Sequence, residues 1–209
     1  KLNPQIANHQ VFANLQELKV IGGEPTIDPG VHRLLEWVIN NGYSKNLKLK
    51  YTTNATNLNS QWIDYLSKFR ESKANISLDA AGDTYEYIRI PAKWKTVANN
   101  VEKIKTIPNS SYNGNMVYSL WNCFTIRDWY HELMRTIDDV ECSISVRYAQ
   151  SPSLLPLEFK ELILDDIQKL PQKHFLKKIT KFTQRPQPED WQHQLNQWFE
   201  FTFAQDRIR

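Results

Sequence analysis

The sequence has 209 residues, of which 41% are hydrophobic and 23% are charged, and this balance excludes a chain that is disordered throughout. The formal net charge of +3 is too small to indicate nucleic-acid binding, and no apolar run has the length of a membrane span. The two cysteines, Cys123 and Cys142, are too few for a disulfide framework or a self-contained metal site. These features predict a reduced, cytoplasmic protein with a packed core.

The two ends of the sequence have the character of an excerpt. The first residue is Lys1 rather than Met, and no Gly, Asn or Pro stop signal precedes the last residues, 205–209. We therefore expect that the natural protein is longer than these 209 residues.

Predicted strands and helices alternate over the first 150 residues. The strands start near residues 18, 47, 75, 116 and 142, and from residue 151 onwards the pattern is helical only. Such alternation predicts an α/β fold with a parallel sheet and helices outside it. The predicted helices cover residues 31–39, 62–69, 85–89, 94–107, 126–137, 157–170, 171–182 and 188–206, and 109–115 is predicted to be a loop.

Polar residues follow these strands where each one ends. They are Gly22, Gly23, Glu24, Thr53, Asn54, Ser77 and Asp79 on the first three strands, and Asn122, Arg147 and Gln150 on the last two. Because the carboxyl ends of parallel strands share one edge of a sheet, we expect these residues to form one polar site. Two carboxylates, hydroxyls, amides and bare backbone suit a ligand that carries an amine and sugar hydroxyls. No general base is evident in the set.

The first of these strand ends, Gly22-Gly23-Glu24, has two interpretations. The glycine pair allows a positive φ and lets a ligand approach the main chain closely. The carboxylate of Glu24 can then accept charge-assisted hydrogen bonds from a cationic amine. The alternative is a tight turn between strand and helix with a solvated glutamate.

Taken in chain order, these motifs resemble the core of a radical S-adenosylmethionine enzyme, in the branch with a SPASM or twitch C-terminal extension. The matching residues are Gly22-Gly23-Glu24-Pro25, Thr53-Asn54-Ala55-Thr56, Ser77-Leu78-Asp79 and the segment from Asp83 to Arg89. The segments 152–160 and 203–207 are similar to the tail of that branch. The resemblance runs from about residue 14 nearly to the end.

The resemblance implies a partial (β/α)6 barrel without its first strand over residues 1–150, and a helical, twitch-like extension over residues 151–209. It implies that S-adenosylmethionine lies across the strand tips. Gly22, Gly23 and Glu24 would meet the methionyl amine, Thr53 and Asn54 the ribose, Ser77 and Asp79 the ribose and carboxylate region, and Arg89 the cofactor carboxylate. For Arg89 the alternative is a surface ion pair with Glu86, three residues earlier.

The family also uses a 4Fe–4S cluster held by three cysteines of a CxxxCxxC loop, and this loop is absent from the sequence. Cys123 and Cys142 stand alone and far apart, whereas such clusters need four thiolates, or three and another ligand. The family places the loop and the first strand immediately before the part that begins here with Lys1. We therefore expect a truncated chain that is not competent in radical chemistry by itself, or a relative that has lost the cluster.

The leading hypothesis is therefore a fragment of a radical S-adenosylmethionine enzyme. It would cleave the cofactor reductively at a 4Fe–4S cluster, with an external electron donor, and act on a peptide or small metabolite. One alternative is a non-catalytic binding module that keeps the strand ends but has lost the cluster. Another is an unrelated α/β barrel enzyme such as an isomerase or aldolase, for which no strand-end Lys or His is a good candidate.

The helical tail has no cysteines for auxiliary clusters. Its aromatic positions recur at helical spacing, which is more typical of a core than of a cofactor site. Its lysines form either a solvated helix face or a basic face for an acidic partner. The aromatic set is Trp191, Leu195, Trp198, Phe199 and Phe203, and the basic set is Lys173, Lys177, Lys178, Lys181 and Arg185.

Overall fold

A computed structural model describes residues 8–144, 150–171 and 173–207. Arg147, predicted at the end of the fifth strand, lies outside the described residues. Within them, no helix combines the length and the apolar character that a membrane span requires.

The described residues form an α/β fold in which strands and helices alternate, as the sequence pattern predicts. The strands are β1 (Glu17–Val20), β2 (Lys48–Thr53), β3 (Glu71–Ser77), β4 (Ser110–Tyr118) and β5 (Val140–Ile144). The helices are α1 (His9–Asn14), α2 (Pro29–Asn40), α3 (Ser60–Lys68), α4 (Gly82–Ile88), α5 (Trp94–Lys105), α6 (Ile126–Thr136), α7 (Leu157–Gln168), α8 (His174–Thr183) and α9 (Trp191–Asp206). Short 3-10 helices cover Tyr43–Asn46 and Pro152–Leu154.

The five strands form one sheet in the order β1-β2-β3-β4-β5. β1 pairs with β2 and β2 with β3 in parallel, with Val20 opposite Tyr51 and Thr53 opposite Ile76. Alternate residues of β2 point into the core, where Tyr51 is fully buried. This alternation explains why the sequence Lys-Leu-Lys-Tyr forms a strand with one apolar face. The parallel pairing brings the ends of β1, β2 and β3 to the same edge of the sheet.

The prediction of a loop over residues 109–115 is wrong for residues 110–115, because these belong to β4. Its Asn, Ser and Gly residues have low strand propensity, but they gain partners from the neighbouring segment. The hydroxyl of Ser72 donates to Ser110 Oγ over 2.9 Å, and the Ser72 amide donates to the carbonyl of Asn109 over 3.0 Å. Tertiary pairing therefore decides the conformation here.

The chain divides into two compact units. The first contains the described residues up to Leu78 together with Ile90–Gly114 and Thr136–Asp139. The second contains Asp79–Arg89, Asn115–Arg135 and the described residues from Val140 onwards.

The core of the second unit includes the inner face of α8. Phe175, Leu176, Ile179 and Phe182 of this helix are buried. The aromatic stripe of α9 differs, because none of its described residues is fully buried. Phe199 and Phe203 are exposed and Trp191, Leu195 and Trp198 are half-buried, so the prediction of a core helix is wrong for α9.

Candidate functional site

The loop that follows β1 presents bare backbone to open space. Gly22 has a φ of +128°, a conformation that residues with a side chain rarely adopt. Apart from the adjacent residues of the chain, no described atom lies within 4 Å of the position that a Cβ would take at Gly22 or Gly23. The glycine pair therefore supplies both the turn and an open surface at the end of the strand.

Glu24, the next residue, ties this loop to the end of β2. Its Oε1 accepts hydrogen bonds from the hydroxyl of Thr53 over 2.6 Å and the hydroxyl of Thr26 over 2.8 Å. Its Oε2 accepts one from the amide of Asn54 over 2.7 Å. The amide of Thr26 donates to Oε1 as well, over 3.3 Å. The carboxylate is half-buried and fixed by four donors, so it is not the solvated glutamate of the alternative interpretation.

This arrangement leaves limited capacity for a ligand on Glu24. A carboxylate oxygen has two lone pairs, and Oε2 has a single donor among the described residues. One further hydrogen bond, from an ammonium group for example, can therefore be accepted at Oε2. We call Glu24, Thr26, Thr53 and Asn54 the Glu24 cluster.

The side chain of Thr53 is buried and contacts Glu24 rather than solvent. It is 1% exposed, and its hydroxyl donates to Glu24 and accepts from the amide of Ala55 over 2.9 Å. Asn54 accepts from the amide and the hydroxyl of Thr56 over 2.9 and 2.6 Å. The turn is held further by the Asn100 amide group, which donates to the carbonyl of Ala55 over 2.9 Å. The single hydroxyl proton of Thr53 is thus used within the protein, and its contribution to a ligand would be to hold Glu24 in place.

A second cluster surrounds Asp79, two residues after the end of β3. The Nε of Arg89 donates to Asp79 Oδ2 over 2.8 Å, and the amide of Val117 donates to Oδ1 over 3.0 Å. The side chains of Asp79 and Arg89 are 13% and 27% exposed. The ion pair of Arg89 is therefore formed with Asp79, ten residues earlier, at an exposure where solvent screens it only in part. The remaining guanidinium N–H groups have no partner among the described residues.

Asn122 joins the segments of this second cluster, and its linking role was not recognised from the sequence. It is fully buried, and its Nδ2 donates to the carbonyls of Asp79 and Val117 over 2.6 and 2.8 Å. Its Oδ1 accepts from the amide of Ser119 over 2.9 Å. An Asn just after a predicted strand was the only signal in the sequence. We call Asp79, Arg89, Val117 and Asn122 the Asp79 cluster.

Ser77, the remaining predicted residue, ends β3 and is half-buried. Its hydroxyl has no protein partner among the described residues and is available to a ligand.

The residues of this chain do not fit a 4Fe–4S cluster. Burial raises the pKa of the Cys142 thiol to about 11, and it raises the pKa of Cys123 still further. Such thiols stay protonated near neutral pH, whereas a cluster takes thiolates. Nor do three or more His, Cys, Asp or Glu side chains converge anywhere in the part of the chain that the structure describes.

No protein-family model matches the chain, and no curated protein matches it significantly. Solved structures do match. AnSMEcpe with bound AdoMet (S-adenosylmethionine) and a peptide superposes with a TM-score of 0.56 at 13% identity, over 78% of this chain and 49% of the other. SuiB of Streptococcus suis bound to the precursor peptide SuiA gives 0.50 at 16% identity, over 73% and 36%.

A third structure is TsrM of Kitasatospora setae, a radical S-adenosylmethionine methyltransferase with cobalamin and a [4Fe-4S] cluster bound. It gives a TM-score of 0.54 at 11% identity, over 66% of this chain and 27% of the other. The chain thus spans less than half the length of each of these structures. At such low identity the likeness concerns the fold alone, and the fold is similar to that of radical S-adenosylmethionine enzymes.

Proposed function

We propose that this chain is the S-adenosylmethionine-binding body of a radical S-adenosylmethionine enzyme, in the SPASM or twitch-containing branch. The observation that carries the proposal is the Glu24 cluster, which holds one free carboxylate lone pair beside an open glycine pair at the end of β1. The similar fold of anSMEcpe, whose structure contains AdoMet, supports it. When bound and reduced in such enzymes, S-adenosylmethionine supplies a 5′-deoxyadenosyl radical.

The proposed roles of the residues follow the two clusters, each taken by itself. Glu24 accepts a hydrogen bond from the methionyl ammonium group, and Gly22 and Gly23 give that group access to the main chain. Thr53 and Asn54 hold the carboxylate of Glu24 in position and border the ribose. In the Asp79 cluster, the free N–H groups of Arg89 bind the cofactor carboxylate, while Asp79 orients the guanidinium. Ser77 and Asp79 border the ribose and carboxylate region.

The residues of this chain cannot carry out the reductive cleavage of S-adenosylmethionine, because they do not fit a 4Fe–4S cluster. We propose that a CxxxCxxC loop and the first strand of a partial (β/α)6 barrel lie elsewhere in the natural protein, which makes this chain a fragment. The position of β1 at the end of the described sheet supports this. Residues 151–209, in which all described elements are helices, would be the twitch-like extension beyond a barrel of residues 1–150. An external electron donor is part of the same proposal, and a cytoplasmic location stays a prediction.

We propose a peptide as the substrate class. Two neighbours of similar fold support this: SuiB is bound to its precursor peptide, and anSMEcpe is bound to a peptide.

The second candidate function is a non-catalytic binding module. It is favoured by the burial of Cys123 and Cys142, which raises the pKa of both thiols and makes them unsuited to a cluster.

Glu24→Gln tests the proposed contact with the ammonium group. Loss of the charge-assisted hydrogen bond is expected to weaken S-adenosylmethionine binding by about 10- to 100-fold in calorimetric titration. Methylthioadenosine, which lacks the amine and the carboxylate, is expected to bind the variant and the original protein equally. Glu17→Gln, on the exposed side of β1, is the matched control and should change neither affinity.

Two outcomes of this experiment contradict the proposal. One is unchanged S-adenosylmethionine affinity in Glu24→Gln. The other is an equal loss of affinity for both ligands, which would mean that Glu24 only maintains the loop.

For the whole enzyme, anaerobic reconstitution of the full-length protein decides between the two candidate functions, because the binding module would bind the cofactor without cleaving it.

Arg89→Met tests the proposed contact with the cofactor carboxylate. Affinity for S-adenosylmethionine is expected to fall about tenfold or more, whereas affinity for decarboxylated S-adenosylmethionine should stay the same. The second ligand controls for any loosening of Asp79 when its ion pair is lost. Equal losses for the two ligands would show that Arg89 acts only on the structure of the protein.

A further inference from the structure

A cavity in the second unit has features of a ligand site that the proposed function does not use. Its volume is about 260 Å³. Leu157, Lys160 and Leu164, one face of α7, line it together with residues 184–187, which follow α8. Two cationic side chains and two amide side chains therefore share a small cavity with aliphatic side chains.

Lys160 is the central group of this cavity. The residue is only 5% exposed, and its Nζ donates to the carbonyl of Arg185 over 2.7 Å. The ammonium group has three N–H donors, and this bond uses one of them. Burial lowers the pKa of Lys160, which reflects the cost of holding a charge away from water. No carboxylate pairs with Lys160 among the described residues.

The hydrogen bond to the carbonyl of Arg185, two residues after the end of α8, also supports a simpler interpretation, in which Lys160 only caps this turn. Capping satisfies one N–H and leaves a buried positive charge without a counter-charge. Such a charge is costly unless an anion pairs with it. The cap and an anion site are compatible, since the two remaining N–H groups are available to a ligand.

Arg185 adds a second cation at the same cavity. Its guanidinium carbon lies 4.6 Å from the centroid of the Phe182 ring, and it forms no ion pair with the described carboxylates. Gln187 is anchored, because its Nε2 donates to the carbonyl of Leu154 over 2.9 Å. The segment after α8 is thus held in place and brings positive charge to the opening.

The rest of the cavity is aliphatic, with Leu157, Leu164 and Pro186 as its walls. Leu157 is 66% exposed, so apolar surface remains uncovered beside the two cations. A purely inorganic anion would leave this surface in contact with water. A ligand with a carboxylate and an aliphatic body would use both parts of the cavity.

We propose that the Lys160 cavity binds an aliphatic carboxylate, either a free acid or the C-terminal carboxylate of a peptide with an aliphatic last residue. The carboxylate pairs with Lys160 and Arg185, and the aliphatic body lies against Leu157 and Leu164. The inference is independent of the proposed function, since none of these residues belongs to the Glu24 or Asp79 cluster.

The ligands that test this are 4-methylpentanoate for the free acid and N-acetyl-leucine for the peptide terminus. N-acetyl-leucine amide is the neutral control. Saturation-transfer NMR with the 209-residue chain is expected to detect one or both carboxylates and at least tenfold weaker binding of the amide. Tighter binding of N-acetyl-leucine than of 4-methylpentanoate would identify the peptide terminus as the source, and the reverse would identify the free acid.

Lys160→Met is expected to lower the affinity for the carboxylate ligand about tenfold or more. Arg185 is exposed, so Arg185→Gln should lower this affinity only about two- to fivefold. Lys181→Gln, an exposed lysine of α8 outside the cavity, is the matched control and should stay within about twofold.

A pair of variants at Leu157 keeps the test valid if Lys160→Met does not fold. Leu157→Glu places a carboxylate three residues from Lys160 at the first position of α7, where an acid favours the helix. The new carboxylate should compete with the ligand for Lys160 and lower the ligand's affinity about tenfold relative to Leu157→Gln. The proposal is overturned if neither carboxylate binds, if the amide binds equally well, or if Leu157→Glu and Leu157→Gln bind alike.

Discussion

At the scale of the residue, Asn122 shows how one buried amide can hold several backbone segments. Its three hydrogen bonds satisfy the carbonyls of Asp79 and Val117 and the amide of Ser119. A buried carbonyl or amide group that loses such a hydrogen bond is costly in free energy. Asn122 therefore positions Asp79 through its backbone carbonyl, and the side chain of Asp79 in turn positions Arg89.

Asn122→Ala is expected to lower the free energy of unfolding by about 3 kcal/mol, because it strands these buried groups. Urea denaturation followed by circular dichroism measures the change. Asn57→Ala, at an exposed position, is the control and should change stability by less than about 0.5 kcal/mol. A similar effect of the two substitutions would mean that water replaces the amide of Asn122.

The sequence predicts residues of this kind only in part. Glu24, Thr53 and Asn54 could be placed together because parallel strands end at one edge, and the structure brings them within hydrogen-bond distance. That Glu24 accepts four protein hydrogen bonds could not be predicted, because Thr26 acquires its position only from the turn that follows. The linking role of Asn122 depends on contacts 43 residues apart, which no local pattern encodes.

At the scale of the element, the start of α2 follows a local rule. Asp28 is the N-cap, and its carboxylate accepts from the amides of Gly30 and Val31 over 2.7 and 2.9 Å. Pro29 follows at the first helical turn, where its missing N–H costs nothing. The backbone hydrogen bonds from Val31 and Gly30 lower the pKa of Asp28 below its ordinary value.

This lowered pKa predicts a pH dependence. A carboxyl group with a lower pKa in the folded state stabilises the protein above its unfolded-state pKa, and the contribution is lost as the pH falls through its folded-state pKa. Asp28→Asn keeps a capping oxygen but does not titrate there. The variant should therefore lose less stability than the original protein between pH 7 and pH 3, as measured by urea midpoints. Parallel losses would show that the cap does not depend on charge.

Elements with strong periodicity were predicted well, and those decided by distant contacts were not. The helices near α2, α5 and α6 follow their apolar stripes, so their positions could be predicted. β4 extends into the polar segment 110–115 because partners across the sheet satisfy its backbone and side chains. α9 shows that an aromatic stripe can be only half-buried, since periodicity indicates a face but not what covers it.

At the scale of the whole molecule, the chain contributes separate segments to each compact unit. The second unit contains the described part of the helical tail, and also Asp79–Arg89 and Asn115–Arg135. The tail packs on these earlier segments. The hydroxyl oxygens of Tyr118 and Thr183 lie 3.0 Å apart. The rings of Tyr130 and Phe175 stack with their centroids 6.1 Å apart.

The predicted division into residues 1–150 and 151–209 can be tested on this basis. A fragment of residues 151–209 lacks Tyr118 and Tyr130, which contact Phe175, Phe182 and Thr183 of α8. We expect it to give a helical far-ultraviolet circular dichroism spectrum, weak or absent near-ultraviolet signals and no cooperative thermal transition. A cooperative transition would show that the tail is a domain that folds by itself.

The four hydrogen bonds that fix Glu24 have a consequence for the speed and entropy of recognition. All four donors belong to the protein itself, so we expect the loop after β1 to lose its conformational entropy during folding rather than during binding. A ligand that docks at Gly22 and Gly23 therefore meets a surface that does not need to rearrange. Its association should be a single step whose rate rises linearly with concentration, without the plateau that a slow ordering step would impose.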